Sequence, residues 1–211
     1  MTDLAVTGSS LRVRIPHAAD AAALYRHASD PQVTRWFSWG PYESEEQALA
    51  YLARLPAQRA SGEQLDLVVE PLQAGPIGIC GLAELSARDR RATIGTWLGR
   101  DWWGTGATRE CKALVCHVAF ALLGLDRVGA YANVDHVRSQ RALERIGFER
   151  EGVLRRFHRH HGRALDVAVF SLLRDDWLAC SLQEVPVTVR GTAPEAFVVG
   201  RSALSPAAPP S

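Results

Sequence analysis

The stretch Trp102–Glu110 reads WWGTGATRE and puts two glycines, Gly104 and Gly106, directly ahead of an amphipathic run. A helix N-terminus leaves backbone N–H groups unpaired and carries partial positive charge. Glycines at that point let the backbone approach a ligand closely. Gly104, Thr105, Gly106, Ala107 and Thr108 can therefore present a fan of amides suited to a phosphate. A tight strand-to-helix turn would use the same residues. A dinucleotide fold would want a third glycine where Arg109 stands, and a Walker loop would want a Gly-Lys-Ser/Thr ending that is absent.

Three other groups of residues invite a chemical reading. Trp36 and Trp39 lie in VTRWFSWGPY and offer flat faces that stack on a planar group or enclose an amine, or else simply pack. RRFHRHHGR (155–163) gathers four arginines and three histidines in a hairpin turn. It would attract an anionic or nucleotide-like acceptor, or RNA, or remain a solvated tip. With no stacking aromatic beyond Phe157 it is not read as a nucleic-acid site. Cys80, Cys111, Cys116 and Cys180 show neither a CxxC pair nor zinc spacing, which predicts reduced core thiols and no metal.

The elements that position these residues follow from periodicity. Leu11–Ile15 alternates as a strand and ends at Pro16. Residues 18–29 place Ala21, Leu24, Tyr25 and Ala28 at helical spacing. Ser44 with Gln47 forms a capping box ahead of Ala48, Tyr51, Leu52 and Leu55. Three strand-like runs follow at 65–70, 76–85 and 92–99, punctuated by Gly and Pro. Residues 107–123 put Cys111, Leu114, Val115, Val118 and Leu122 on one stripe. A strand at 128–134, a helix from Val137 to Ile146 stopped by Gly147, and a strand at 165–173 complete the pattern. EVPVTVRG offers one more strand, and RSALSPAAPPS reads as a disordered tail. The predicted fold is mixed α/β with one domain at 1–183, an extension at 184–200 and the tail at 201–211.

The bounds agree with that. A chain of 211 residues with 47% apolar residues can bury one core. A net charge of +1 gives no general case for nucleic acid or membrane partners. No apolar run approaches a membrane span and no signal pattern opens the chain, so a cytoplasmic protein is the default.

The strings IGTWLGRDWWGTGATRECKALVCHVAF, VDHVRSQRALERIGFEREGVLR and GRALDVAVFSLLRDDW, in that order, resemble the GNAT superfamily of acyl-CoA-dependent N-acyltransferases. Within it they look closest to the ribosomal-protein N-terminal (Rim-type) branch. The resemblance runs over about residues 10–178. It implies a central mixed, mostly antiparallel sheet flanked by helices, with two central strands splayed apart. It implies acetyl-CoA (coenzyme A) as cosubstrate, its pyrophosphate held by Trp103, Gly104, Thr105, Gly106, Ala107, Thr108 and Arg109. The pantetheine arm then pairs with the opened strand edge, and an amide near Leu98 or Gly99 polarises the thioester carbonyl. Several family positions differ here: Trp103 replaces Arg or Gln, Thr108 a smaller residue, Thr93 an acid, Thr96 an aromatic and His136 an asparagine.

Acyl transfer to an amine needs a neutral nucleophile, a donor for the oxyanion and a proton for the departing thiolate. Ser139 matches the family serine and would donate to the sulfur, or cap its helix. Glu84 leads the candidate bases because strand alternation would aim it into the cleft. His136 and then Asp135 follow, and ordered water could serve in their place. Trp36 and Trp39 border the acceptor side in this resemblance. The resulting expectation is an N-acetyltransferase acting on a protein N-terminus or a small-molecule amine by direct attack in a ternary complex. A succinyl- or other acyl-CoA transferase and a non-catalytic CoA-binding or regulatory domain are the alternatives. The extra strand would also suit a homodimer.

Overall fold

In the computed structural model, which describes residues 3–199, strand pairing runs unbroken across the molecule. The strands are β1 (Ala5–Thr7), β2 (Leu11–Arg14), β3 (Gln64–Pro71), β4 (Gly78–Ser86), β5 (Arg91–Leu98), β6 (Arg127–Asn133), β7 (Glu149–His160), β8 (Arg163–Leu173) and β9 (Thr188–Arg190). They form one sheet of nine strands in the order β7-β8-β6-β5-β4-β3-β2-β1-β9. The pairing is antiparallel except for β5 with β6. The helices are α1 (Ala21–Ala28), α2 (Pro31–Thr34), α3 (Glu45–Ala60), α4 (Ala107–His117), α5 (Val137–Glu144) and α6 (Arg174–Ala179).

Burial follows the apolar periodicity. On α4, Cys111, Leu114 and Val115 are fully buried, and a π turn over Val118–Leu122 carries the stripe on. This helix packs on one face of the sheet, against the main core. Helices α1 and α3 cover part of the other face through Leu24, Ala48, Leu52 and Leu55, which meet Val68 and Ile79. Burying each of these leucines stabilises by about 1.5–3 kcal/mol before entropy is counted.

Several local expectations shift. Strand β1 and the short α2 carry too few residues to show a period. Helix α2 is instead set by Pro31 at its first position and by Asp30, whose carboxylate accepts from the Gln32 amide at 2.8 Å. The Ser44–Gln47 capping box does not form: the Gln47 side chain takes the Glu43 amide at 2.8 Å, one residue early. Strand β9 pairs with β1 of the same chain, so it extends the sheet instead of leaving β1 as the edge. The expected tail at 201–211 lies outside the described residues.

The feature that makes a site is the end of the β5–β6 pairing. Their parallel register runs from Arg91↔Arg127 only as far as Thr93↔Gly129. Beyond that β5 continues to Leu98 on β4, and β6 continues to Asn133 on β8. The two strands therefore diverge and open a wedge in the middle of the sheet.

Candidate active site

The wedge is the mouth of a cleft of about 940 Å³. Its strand walls are Ile94–Leu98 on one side and Ala130–Asn133 on the other. In an antiparallel pair, alternate residues turn their backbone groups to opposite sides. The Gly99 amide is bonded to the Ile77 carbonyl at 2.7 Å, on the β4 side. By alternation Thr96 and Leu98 turn theirs toward the open gap. Gly99 is thus unavailable as a thioester donor, and Leu98 is the better placed of the two. The Leu98 carbonyl already accepts from the Trp103 indole N–H at 2.9 Å.

The loop at the top of β5 is bare. Gly104 and Gly106 have φ of +78° and +94°, and nothing lies within 4 Å of where a Cβ would sit on either. Gly106 caps α4, whose first intrahelical bond is from the Glu110 amide to the Gly106 carbonyl at 3.1 Å. Ala107 leans on the Thr105 hydroxyl at 3.4 Å, and that hydroxyl donates to the Trp102 carbonyl at 2.9 Å. The amides of Gly104, Thr105, Gly106 and Thr108 donate to no protein acceptor among the described residues. The residues present therefore fit an anion such as a diphosphate. The Arg109 side chain points elsewhere, to the Ser181 carbonyl at 2.5 Å and the Glu184 carboxylate at 2.6 Å. Trp103 lies beneath the Arg138 guanidinium, 4.5 Å from its ring centre.

Helix α5 brings Ser139 and His136 to the cleft, with Asp135 just before them. Ser139 stands in the first turn, its amide bonded to the His136 carbonyl at 2.9 Å. His136 stacks on Trp36 with ring centres 4.8 Å apart. Burial, then the charges of Arg138 and Arg35, push the His136 imidazole down to about 4. It is neutral at pH 7 and a weak proton acceptor there. Asn133, which sequence reading passed over, shapes this turn: its side-chain oxygen takes the Asp135 amide at 2.8 Å.

Glu84 does not enter the cleft as alternation predicted. It sits at a bulge between Ala83 and Ser86, with φ +53°, exposed and outside the cleft lining. A bulge breaks the two-residue period, so the side chain is re-aimed. It reaches the cleft through Tyr131, whose hydroxyl donates to the Glu84 carboxylate at 3.3 Å. Burial and the neighbouring Glu84 charge raise the Tyr131 phenol above its ordinary value.

Aromatic rings form the other wall. Trp39 meets Phe37, Tyr42 and Trp97 at ring-centre distances of 5.2, 5.3 and 5.5 Å. Tyr131 meets Phe157 and His158 at 5.2 and 5.6 Å. Phe157, His158, Arg159 and His160 of the basic hairpin thus line the cleft, Phe157 with 47% of its surface still exposed, while Arg155, Arg156 and Arg163 lie outside it. Asp166, at the base of the hairpin, accepts from the Arg156 backbone amide at 2.7 Å. Among the described residues no cluster of His, Cys, Asp and Glu could hold a metal, and no helix is long and apolar enough to cross a membrane.

Comparison with known proteins agrees with this geometry. Residues 10–149 match the acetyltransferase (GNAT) domain family. An uncharacterized N-acetyltransferase, p20, of Bacillus licheniformis is 30% identical over 169 residues, covering 79% of this chain and 94% of the relative. A putative ribosomal N-acetyltransferase of Bacillus subtilis, YdaF, is 36% identical over 103 residues, 47% of this chain and 56% of the relative. The structure of a spermidine N-acetyltransferase from Vibrio cholerae, solved with CoA and spermine, superposes with a TM-score of 0.69 at 23% identity, covering 80% of this chain and 98% of that one. The protein is an acyl-CoA-dependent N-acetyltransferase by class. The chain belongs to the GNAT acetyltransferase family.

Proposed function

We propose that the cleft moves an acetyl group from acetyl-CoA to a cationic small-molecule or peptide amine by direct attack. The observation that carries this is the splayed β5 edge ending in a loop of unpaired amides. The pyrophosphate rests on Gly104, Thr105, Gly106 and Thr108. The pantetheine arm pairs with the backbone of Thr96 and Leu98, as a peptide adds to a sheet edge. The Leu98 amide polarises the thioester carbonyl. Ser139 donates a hydrogen bond to the sulfur from the first turn of α5.

The acceptor enters from the aromatic wall. Trp36, Trp39, Trp97 and Tyr131 line the cleft, which has the Asp135 carboxylate in its own lining and the Glu84 carboxylate at its margin through Tyr131. Rings with a carboxylate at the margin favour a protonated amine. The spermine bound in the Vibrio cholerae relative supports amines of that kind as first candidates. The attacking nitrogen loses its proton by way of water to Glu84, which Tyr131 holds in place. His136 orients Trp36 and takes no proton in this scheme.

Purified protein with acetyl-CoA and a panel of polyamines, amino-terminal peptides and aminoacyl compounds tests the reading by release of free thiol. Turnover with at least one cationic amine is expected. CoA binding without turnover on any amine would contradict it.

A further inference from the structure

Lys112 is the only lysine in the sequence, and it lies in the floor of the cleft. It is 6% exposed. Its Nζ makes one hydrogen bond, to the Thr96 hydroxyl at 3.0 Å. No carboxylate pairs with it among the described residues. A buried ammonium with two unused donors and no counter-ion is costly unless an anion arrives.

The position says which part of the donor brings that anion. A diphosphate on the loop sits outside the first turn of α4, whereas Lys112 is in the second turn and reaches inward to mid-β5. Thr96 is two residues, about 7 Å, from Leu98 along the strand. The pantetheine arm that would pass here is neutral. Two atoms of the thioester acquire negative charge: the carbonyl oxygen, which faces the Leu98 amide, and the sulfur, when the acyl group leaves. One neighbouring thiol, Cys80, lies in the same field, whereas burial carries Cys111 and Cys116 above their ordinary values. Cys80 Sγ is 3.1 Å from the same Thr96 hydroxyl. Burial pushes that thiol up, but the Cys111 hydrogen bond, the Lys112 charge and Thr96 outweigh it and hold Cys80 below its ordinary value.

Resting on the acetyl-transfer reading above, we propose that Lys112 is a catalytic residue whose ammonium stabilises the departing coenzyme A thiolate. The amine nitrogen forms the new C–N bond, the C–S bond breaks, and its electron pair stays on sulfur facing Lys112. The lysine remains charged, and the thiolate takes its proton later from solvent.

The test compares wild type with Lys112→Met, which keeps the side-chain volume, and Lys112→Arg, which keeps the charge. Removing one preorganised donor costs about 100-fold in kcat. Lys112→Met should show that loss with KM for acetyl-CoA changed less than about threefold, and Lys112→Arg should regain about tenfold. An unchanged kcat in Lys112→Met, or a kcat loss matched by an equal loss of CoA affinity in calorimetry, would overturn the proposal. A second readout does not need turnover. The pH midpoint for iodoacetamide alkylation of bound CoA, followed as the mass of the coenzyme adduct, should lie about one unit below that of free CoA in wild type and return in Lys112→Met. Equal midpoints would overturn the proposal. Should wild type bind CoA and fail to acetylate any amine, a depressed midpoint that depends on Lys112 would still uphold the thiolate site while the acetyl-transfer reading falls.

Discussion

The Trp103 indole donates to the Leu98 carbonyl at 2.9 Å and ties the glycine loop to the strand edge that precedes it. The bond joins two halves of one binding surface: the amides over which a diphosphate would sit, and the edge along which a pantetheine arm would run. The Arg138 guanidinium 4.5 Å above the Trp103 ring adds α5 to the same unit. Trp103→Phe keeps the ring and removes the N–H. It should lower stability by about 1 kcal/mol and raise KM for acetyl-CoA severalfold with kcat unchanged. Thermal melting and steady-state kinetics read both.

Gly106→Asp puts a carboxylate where the loop offers bare amides. CoA affinity should drop at least about 100-fold, the equivalent of roughly 2.7 kcal/mol. Gly106→Ala is the control for backbone strain at φ +94°. It should cost about 1–2 kcal/mol of stability and much less affinity. Calorimetry on both variants separates charge from strain, and equal affinities for CoA in the two would contradict the loop assignment.

Ser139→Ala should lower kcat by about 10- to 100-fold while the dissociation constant for CoA stays within threefold. An unaffected kcat removes Ser139 from the chemistry and leaves it as a first-turn residue of α5.

Glu84→Gln keeps shape and loses the base. The rate of acetylation at neutral pH should fall, and the remaining activity should rise with pH as the free amine deprotonates in solution. Tyr131→Phe should show a weaker form of the same change, because the tyrosine acts by holding Glu84. A pH–rate profile identical to wild type in Glu84→Gln would exclude Glu84.

His136 makes a prediction about stability. Its folded-state value of about 4 is below the ordinary 6.5. Between those values the unfolded chain binds the extra proton and the folded chain does not. Stability is therefore full above pH 6.5 and lost as pH falls toward 4. The melting temperature should drop less steeply over that window in His136→Asn than in wild type.

The fold and the loop were legible because their signals are local. Two glycines ahead of an apolar stripe fix both the turn and α4, and ordered strings on either side fix the rest of the sheet. Glu84 was misplaced because alternation assumes a regular strand, and the bulge at φ +53° is a property of pairing with β5. Lys112 was hidden for a different reason. It occupies the helix beside Cys111, and its partner Thr96 lies 16 residues earlier. The one available signal was a lone lysine in an arginine-rich chain. Tyr131 was invisible as a site residue because its role depends on Glu84, 47 residues away. Strand β1 is too short to carry a period and is held between β2 and β9, while β9 lies within the strand expected in EVPVTVRG.

The central claim is that the amides ahead of α4 grip the diphosphate of coenzyme A. Titrating isotopically labelled protein with CoA and following its backbone amide resonances tests this directly. The account predicts large shifts at Gly104, Thr105, Gly106 and Thr108 that saturate together, with smaller ones at Thr96 and Leu98. Saturable CoA binding that leaves those four resonances unmoved would contradict it.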